Sequence, residues 1–134
     1  MTLTIPDYTY RVKEVVRVID GDTVDIIIDL GFYLNSLKRI RILDLDTDEM
    51  RGGTVETKER AQKAKERLEQ LLSMGTVYIR TEMDATGKYG RLLGSFFVIN
   101  DGTAIDVTKT LVAEGYQKGN TSVLVENINR VPIR

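Results

Sequence analysis

The chain has 134 residues, of which 42% are hydrophobic and 29% charged, and its net charge is −1. That length supports one self-sufficient core, while the charge gives no global attraction to a polyanion, so a nucleic-acid contact would need a local basic surface. With no cysteine and no histidine, disulfides, thiolate metal sites, imidazole bases and the Ser-His and Cys-His mechanisms are excluded, leaving carboxylates, Tyr, Lys, Arg, hydroxyls and a hard cation held through oxygen.

In chain order, residues 1–7 show neither a basic n-region nor an apolar h-region. No later run is long enough to span a membrane, so a cytoplasmic or intracellular protein without membrane contact is expected. Residues 10–19 are β-branched and roughly alternating, as are residues 23–30, with Asp20-Gly21 between them. This predicts a hairpin with a type I′ turn, whose central residues both need positive φ. Residues 38–45 predict a third strand, with Ile40 and Ile42 on one face and Arg41 and Leu43 on the other.

A Gly52-Gly53 loop leads to the long helical pattern, in which Ala61, Ala64, Leu68, Leu71 and Leu72 share one face. Thr54 suits the N-cap, Glu56 and Glu59 the positive end of the dipole, and Gly75 the C′ position. Lys58, Arg60, Lys63, Lys65 and Arg67 alternate with Glu59, Glu66 and Glu69, which reads as a solvated, ion-paired face rather than a nucleic-acid footprint. Residues 76–81 and 92–99 are two more strands, with Phe96 and Phe97 as packing residues, joined by the loop 84–90. A second helix is expected from Asp106 as N-cap through Val107, Leu111 and Val112 to Gly115, and residues 117–134 show no period. The sum is a single domain, 1–134, of α+β, mainly β class. Its expected architecture is a five-stranded oligonucleotide-binding-type barrel with one long helix inserted after the third strand and a short C-terminal helix.

Three clusters carry chemistry, each with a plain alternative. Asp20-Gly21-Asp22 is a turn former, or a turn that also offers a carboxylate. Residues 44–49 place Asp44, Asp46, Asp48 and Glu49 around Thr47, bracketed by Arg39, Arg41 and Arg51. They form either a solvated loop or a site where a divalent cation takes carboxylate and carbonyl oxygens. Gly87-Lys88-Tyr89-Gly90-Arg91 is either a charged hairpin loop or a phosphate clamp with a guanidinium fork.

Taken in order, the strings Val18-Ile19-Asp20-Gly21-Asp22-Thr23-Val24, Arg41-Ile42-Leu43-Asp44-Leu45-Asp46-Thr47-Asp48-Glu49 and Lys88-Tyr89-Gly90-Arg91 resemble the staphylococcal-nuclease-like (thermonuclease) family. A weaker match continues in Leu111-Val112-Ala113-Glu114-Gly115. The resemblance implies a metal-dependent phosphodiesterase that uses Ca2+ to hydrolyse DNA and RNA. Asp22 and Asp46 would be carboxylate ligands of the metal, and Thr47 would bind it through its main-chain carbonyl. Glu49 would be the general base, Arg41 and Arg91 would hold the scissile phosphate, and Lys88 and Tyr89 would contact a neighbouring phosphate. The implied partner is nucleic acid, acted on by a monomer with no protein partner. The alternatives are a catalytically silent nucleic-acid-binding module of the same fold and a calcium-stabilised interaction domain. Two departures stand inside the second string. Asp48 replaces a usual Pro, which predicts a looser loop before Glu49 and an extra charge near the metal, and Asp44 stands where Gly is frequent. Residues 117–134 do not read as the long basic C-terminal helix of the best-known members.

Overall fold

The computed structural model describes residues 8–83 and 92–119. Five strands close on themselves: β1 (Thr9–Asp20), β2 (Thr23–Asp29), β3 (Asn35–Ile42), β4 (Thr76–Met83) and β5 (Leu92–Asn100). β1 pairs antiparallel with β2 along its length and with β4 through residues 9–11. β2 pairs antiparallel with β3, β4 pairs antiparallel with β5, and a short parallel pairing of β3 with β5 completes the circuit. This is the expected barrel, with α1 (Val55–Leu72) between the third and fourth strands and α2 (Val107–Ala113) at the far end. A sixth strand, β6 (Thr103–Asp106), extends the second half of β5 beyond the closure. No helix of the described residues is long and apolar enough to cross a membrane.

β1 shows why its sequence alternates only loosely. Register shifts fall between Val12 and Glu14, Val15 and Arg17, and Val18 and Asp20. Each inserts one residue, so the inward side chains are Val12, Val15 and Val18, a period of three where a regular strand has two. The same bulges bend the strand enough to serve both sides of the barrel. β2 needs no such device: Val24, Ile26 and Ile28 are buried in strict alternation. Closure happens where β3 meets β5, with Ile42 opposite Gly94. A Cβ on Gly94 would lie 2.7 Å from Ile79 Cδ1 and 3.0 Å from Ile40 Cγ2, so only glycine fits the narrow interior there.

Two glycine assignments change on this scaffold. The first hairpin turns through Gly21-Asp22, since Asp20 is already paired with Thr23, and neither turn residue has positive φ. Gly21 is instead a matter of space: its Cβ would meet Ala64 Cβ at 2.6 Å and Thr47 Oγ1 at 2.8 Å. The positive-φ pair expected there is found at Asp101-Gly102, with φ of 49° and 78°, where it joins β5 to β6. Gly75 is likewise not a left-handed helix terminator. α1 is C-capped by Ser73, and a Cβ on Gly75 would collide with the Ile99 carbonyl oxygen at 2.1 Å.

Thr54 caps α1 as expected, accepting from the Thr57 amide at 3.2 Å while Thr57 Oγ1 accepts from the Thr54 amide at 2.8 Å. Ala61, Ala64, Leu68, Leu71 and Leu72 are buried, and α1 packs on β1. The small Ala64 lets the helix approach Gly21 closely, which sets α1 directly beneath the first hairpin. In α2, Asp106 accepts from the Lys109 amide at 3.0 Å, and Val107 and Leu111 are buried. Phe96 is fully buried and Phe97 partly so, consistent with packing roles.

Candidate active site

β3 ends at Ile42, three residues earlier than its alternation suggests, because Asp44 turns the chain with φ of 60°. A left-handed residue favours glycine and, after it, Asp or Asn, which suits Asp44 to this position. Asp44 is exposed and lines a cavity of about 470 Å³ with Lys109 and the start of α2. That cavity contains none of the other acidic loop residues. After Leu45, which is buried in the core, residues 46–50 run as an irregular loop against the Gly21-Asp22 turn.

Asp22 is 4% exposed and is the centre of the cluster. Its Oδ2 accepts from the Thr47 amide at 2.9 Å and from Arg41 Nη1, and its Oδ1 accepts from the Thr23 hydroxyl at 2.9 Å. Its main-chain oxygen accepts from the Ile42 amide at 2.8 Å, which ties the turn to the end of β3. Arg41 extends its other terminal nitrogen to Asp46 Oδ1 at 3.1 Å, so one guanidinium spans both carboxylates. Burial alone would lower the pKa of Arg41, but hydrogen bonds and charge from Asp22 and Asp46 raise it above its ordinary value. Thr47 is fully buried, and its Oγ1 has no hydrogen-bond partner among the described residues. Glu49 is exposed and makes no side-chain hydrogen bond or ion pair among the described residues. Lys88, Tyr89 and Arg91, the other expected phosphate contacts, lie outside the described residues.

The acidic loop is held from three sides by residues that the sequence did not connect with it. Asp20 Oδ1 accepts from the Met50 amide at 2.9 Å, so the first residue of the Asp-Gly-Asp string also caps the loop's far end. Gln117, after α2, accepts from the Asp46 amide at 3.1 Å through Oε1, and the Lys118 amide donates to the Asp46 carbonyl. Asp48, expected to loosen the loop and add charge at the metal, is 6% exposed and paired instead with Arg60 of α1 across 3.4 Å.

Arg60 and Arg67 therefore leave the solvated face assigned to the long helix. Arg67 forms a two-point ion pair with Glu114 near the end of α2, at 2.8 Å and 2.9 Å. The signal was present in the sequence: Arg60 precedes Ala64 and Leu68 at intervals of four, on the apolar stripe itself.

The oxygens gathered around Arg41 are those of the Asp22 and Asp46 carboxylates, hard donors of the kind calcium takes. Among the described residues no three acidic, histidine or cysteine side chains form a metal-binding group.

A family model for staphylococcal nuclease homologues matches residues 39–127. The match includes Arg41, Asp46, Thr47 and Glu49 and starts after Asp22. Among curated proteins, Protein ParB of Escherichia coli is 36% identical over 88 residues, which is 63% of this chain and 41% of that protein. The chain thus spans less than half the length of that relative.

Proposed function

This chain belongs to the staphylococcal nuclease homologues, and from that premise we propose that it is a calcium-dependent nuclease hydrolysing phosphodiester bonds in DNA and RNA. The observation that supports this most is the convergence of Asp22 and Asp46 on Arg41, with the Thr47 amide on the same Asp22 oxygen. Two carboxylates, a backbone segment and a guanidinium are thereby brought to one point, with Glu49 unengaged two residues away.

In this reading Asp22, Asp46 and the Thr47 carbonyl hold the cation. Calcium, when bound, supplies positive charge that offsets the charge developing on the phosphate. Arg41 releases one or both carboxylates to take phosphate oxygens, a role that suits its planar fork better than a lysine. Arg91 takes the same phosphate, and Lys88 and Tyr89 the next one. Glu49, exposed and uncommitted, orients the attacking water and accepts its proton. The buried Asp22 acts differently, because the hydrogen bonds it accepts from Thr47, Thr23 and Arg41 fix its rotamer and compensate its charge.

Digestion of single-stranded DNA with calcium, and with chelator as control, tests the assignment. Glu49→Gln is expected to lower kcat by roughly 10²–10⁴-fold, the usual contribution of a positioned base. Unchanged turnover would remove Glu49 from this role. Arg91→Lys is expected to be crippling and Lys63→Ala, on the exposed helix face, mild; equal effects would place the substrate on α1.

A further inference from the structure

We propose that Arg60 and Asp48 are positioning residues, a buried ion pair between α1 and the acidic loop that fixes the loop and so aims Glu49. The inference rests on the nuclease reading for its kinetic consequence but not for its geometry. Asp48 and Arg60 side chains are only 8% and 14% exposed, and Arg60 Nε lies 3.4 Å from Asp48 Oδ2. Arg60 also donates to the Gln117 carbonyl at 3.4 Å, and Gln117 in turn accepts from the Asp46 amide. One guanidinium thus reaches the loop at Asp48 directly and at Asp46 through Gln117.

The neighbouring tethers show what this achieves. Thr47 is bound to Asp22 and Met50 to Asp20, each through its amide at 2.9 Å. Residues 46, 47, 48 and 50 are all tethered, and Glu49 between them has an exposed side chain with no hydrogen bond or ion pair among the described residues. Its direction is set by anchors on both sides. A group that must lie within hydrogen-bond reach of a water loses rate steeply when displaced, about 10²-fold for a shift near 1 Å. A helix-borne ion pair is a stiff way to prevent that shift, because α1 is locked to the barrel through Ala64 and Leu68. The Asp48 amide donates no hydrogen bond among the described residues, so a proline there would lose none while restricting φ.

The experiment compares Asp48→Asn, Arg60→Met, the double variant, and Asp48→Pro combined with Arg60→Met. Arg60→Met leaves the buried Asp48 carboxylate without this cation and Asp48→Asn removes the charge that Arg60 faces across the pair, so both lower the melting temperature. The double variant removes both charges and recovers much of it. Positioning predicts that the double variant nevertheless keeps a kcat about 10²-fold low with KM little changed, and that Asp48→Pro with Arg60→Met restores kcat. A readout independent of catalysis is amide hydrogen exchange at Thr47 and Met50, expected to quicken at least tenfold in the double variant while the β2 amides stay protected. Recovery of kcat together with melting temperature would overturn the proposal and make the pair a stabilising contact only. So would unchanged exchange at Thr47 and Met50. If the wild-type chain cleaves nothing with calcium, the nuclease reading fails, and the exchange measurement alone still decides the positioning.

Discussion

Arg41 occupies the place between Asp22 and Asp46 where the proposed cation would have to act, so the two should compete. The Arg41 nitrogen lies 3.1 Å from Asp46 Oδ1, and a calcium ion sits about 2.4 Å from a carboxylate oxygen. Bound together they would be about 5 Å apart. A single and a double positive charge at that distance repel by about 1.7 kcal/mol even with water-like screening, and by more where the surroundings are drier. Arg41→Met is therefore expected to tighten calcium binding at least ~10-fold while removing turnover. In the absence of calcium the same variant leaves the buried Asp22 carboxylate with only the Thr47 amide and the Thr23 hydroxyl, a loss of about 2–3 kcal/mol, below the range for a wholly buried pair because Arg41 is partly exposed. Calcium at about 100 times its dissociation constant returns about 2.7 kcal/mol. Calorimetric titration of calcium into both proteins, with melting curves at matched calcium, checks each part. A calcium affinity unchanged or weakened in Arg41→Met would refute the shared site.

Gly21→Ala is expected to cost about 1–3 kcal/mol, because its new Cβ would sit 2.6 Å from Ala64 Cβ and must push α1 or Thr47 aside; thermal melting reads it directly, and a neutral result would mean the helix does not approach the turn so closely. Tyr116 has its pKa raised above 10.0, first by burial and then by the Glu114 carboxylate, with Arg67 opposing. The folded state therefore holds that proton longer than the unfolded one. Its contribution is complete below about pH 10 and is lost as pH rises from the unfolded value through the folded value. Tyr116→Phe should flatten part of the alkaline fall in melting temperature, and an identical pH profile in the variant would argue against the shift.

Much of the fold was legible because its elements follow short-range rules. Thr54 and Asp106 cap their helices where their side chains reach the third amide on, and Val24, Ile26 and Ile28 alternate without interruption. What was not legible depended on distance through space. Gly21 and Gly75 carry turn-like signals, yet each is glycine because another part of the chain comes within 3 Å of its missing Cβ. The β3 strand ends early for a related reason: Leu43 and Leu45 continue the hydrophobic pattern, but positive φ at Asp44 takes the chain off the sheet. β6 is only four residues long and was hidden by its brevity, although Asp101-Gly102 before it is the turn signal that short hairpins use.

The site divides along the same line. Asp22, Arg41 and Asp46 were singled out by the family resemblance of their strings, and the fold brings them together because the β1-β2 turn lies beside the end of β3. Their supports were not readable, because Asp20, Arg60 and Gln117 act across 71 residues of sequence or fewer but never within one element. This matters for the charge of the site. Counted from the sequence, residues 44–49 set four carboxylates beside Asp22. In the fold Asp48 is neutralised by Arg60 and Asp44 turns toward the start of α2, so Asp22, Asp46 and Glu49 remain with Arg41 among the described residues. That remainder is still negative. On the proposed reading Arg91 and Lys88 offset it at the phosphate, and a divalent cation held by Asp22 and Asp46 would turn the balance positive, so calcium would strengthen phosphate binding before any bond is broken.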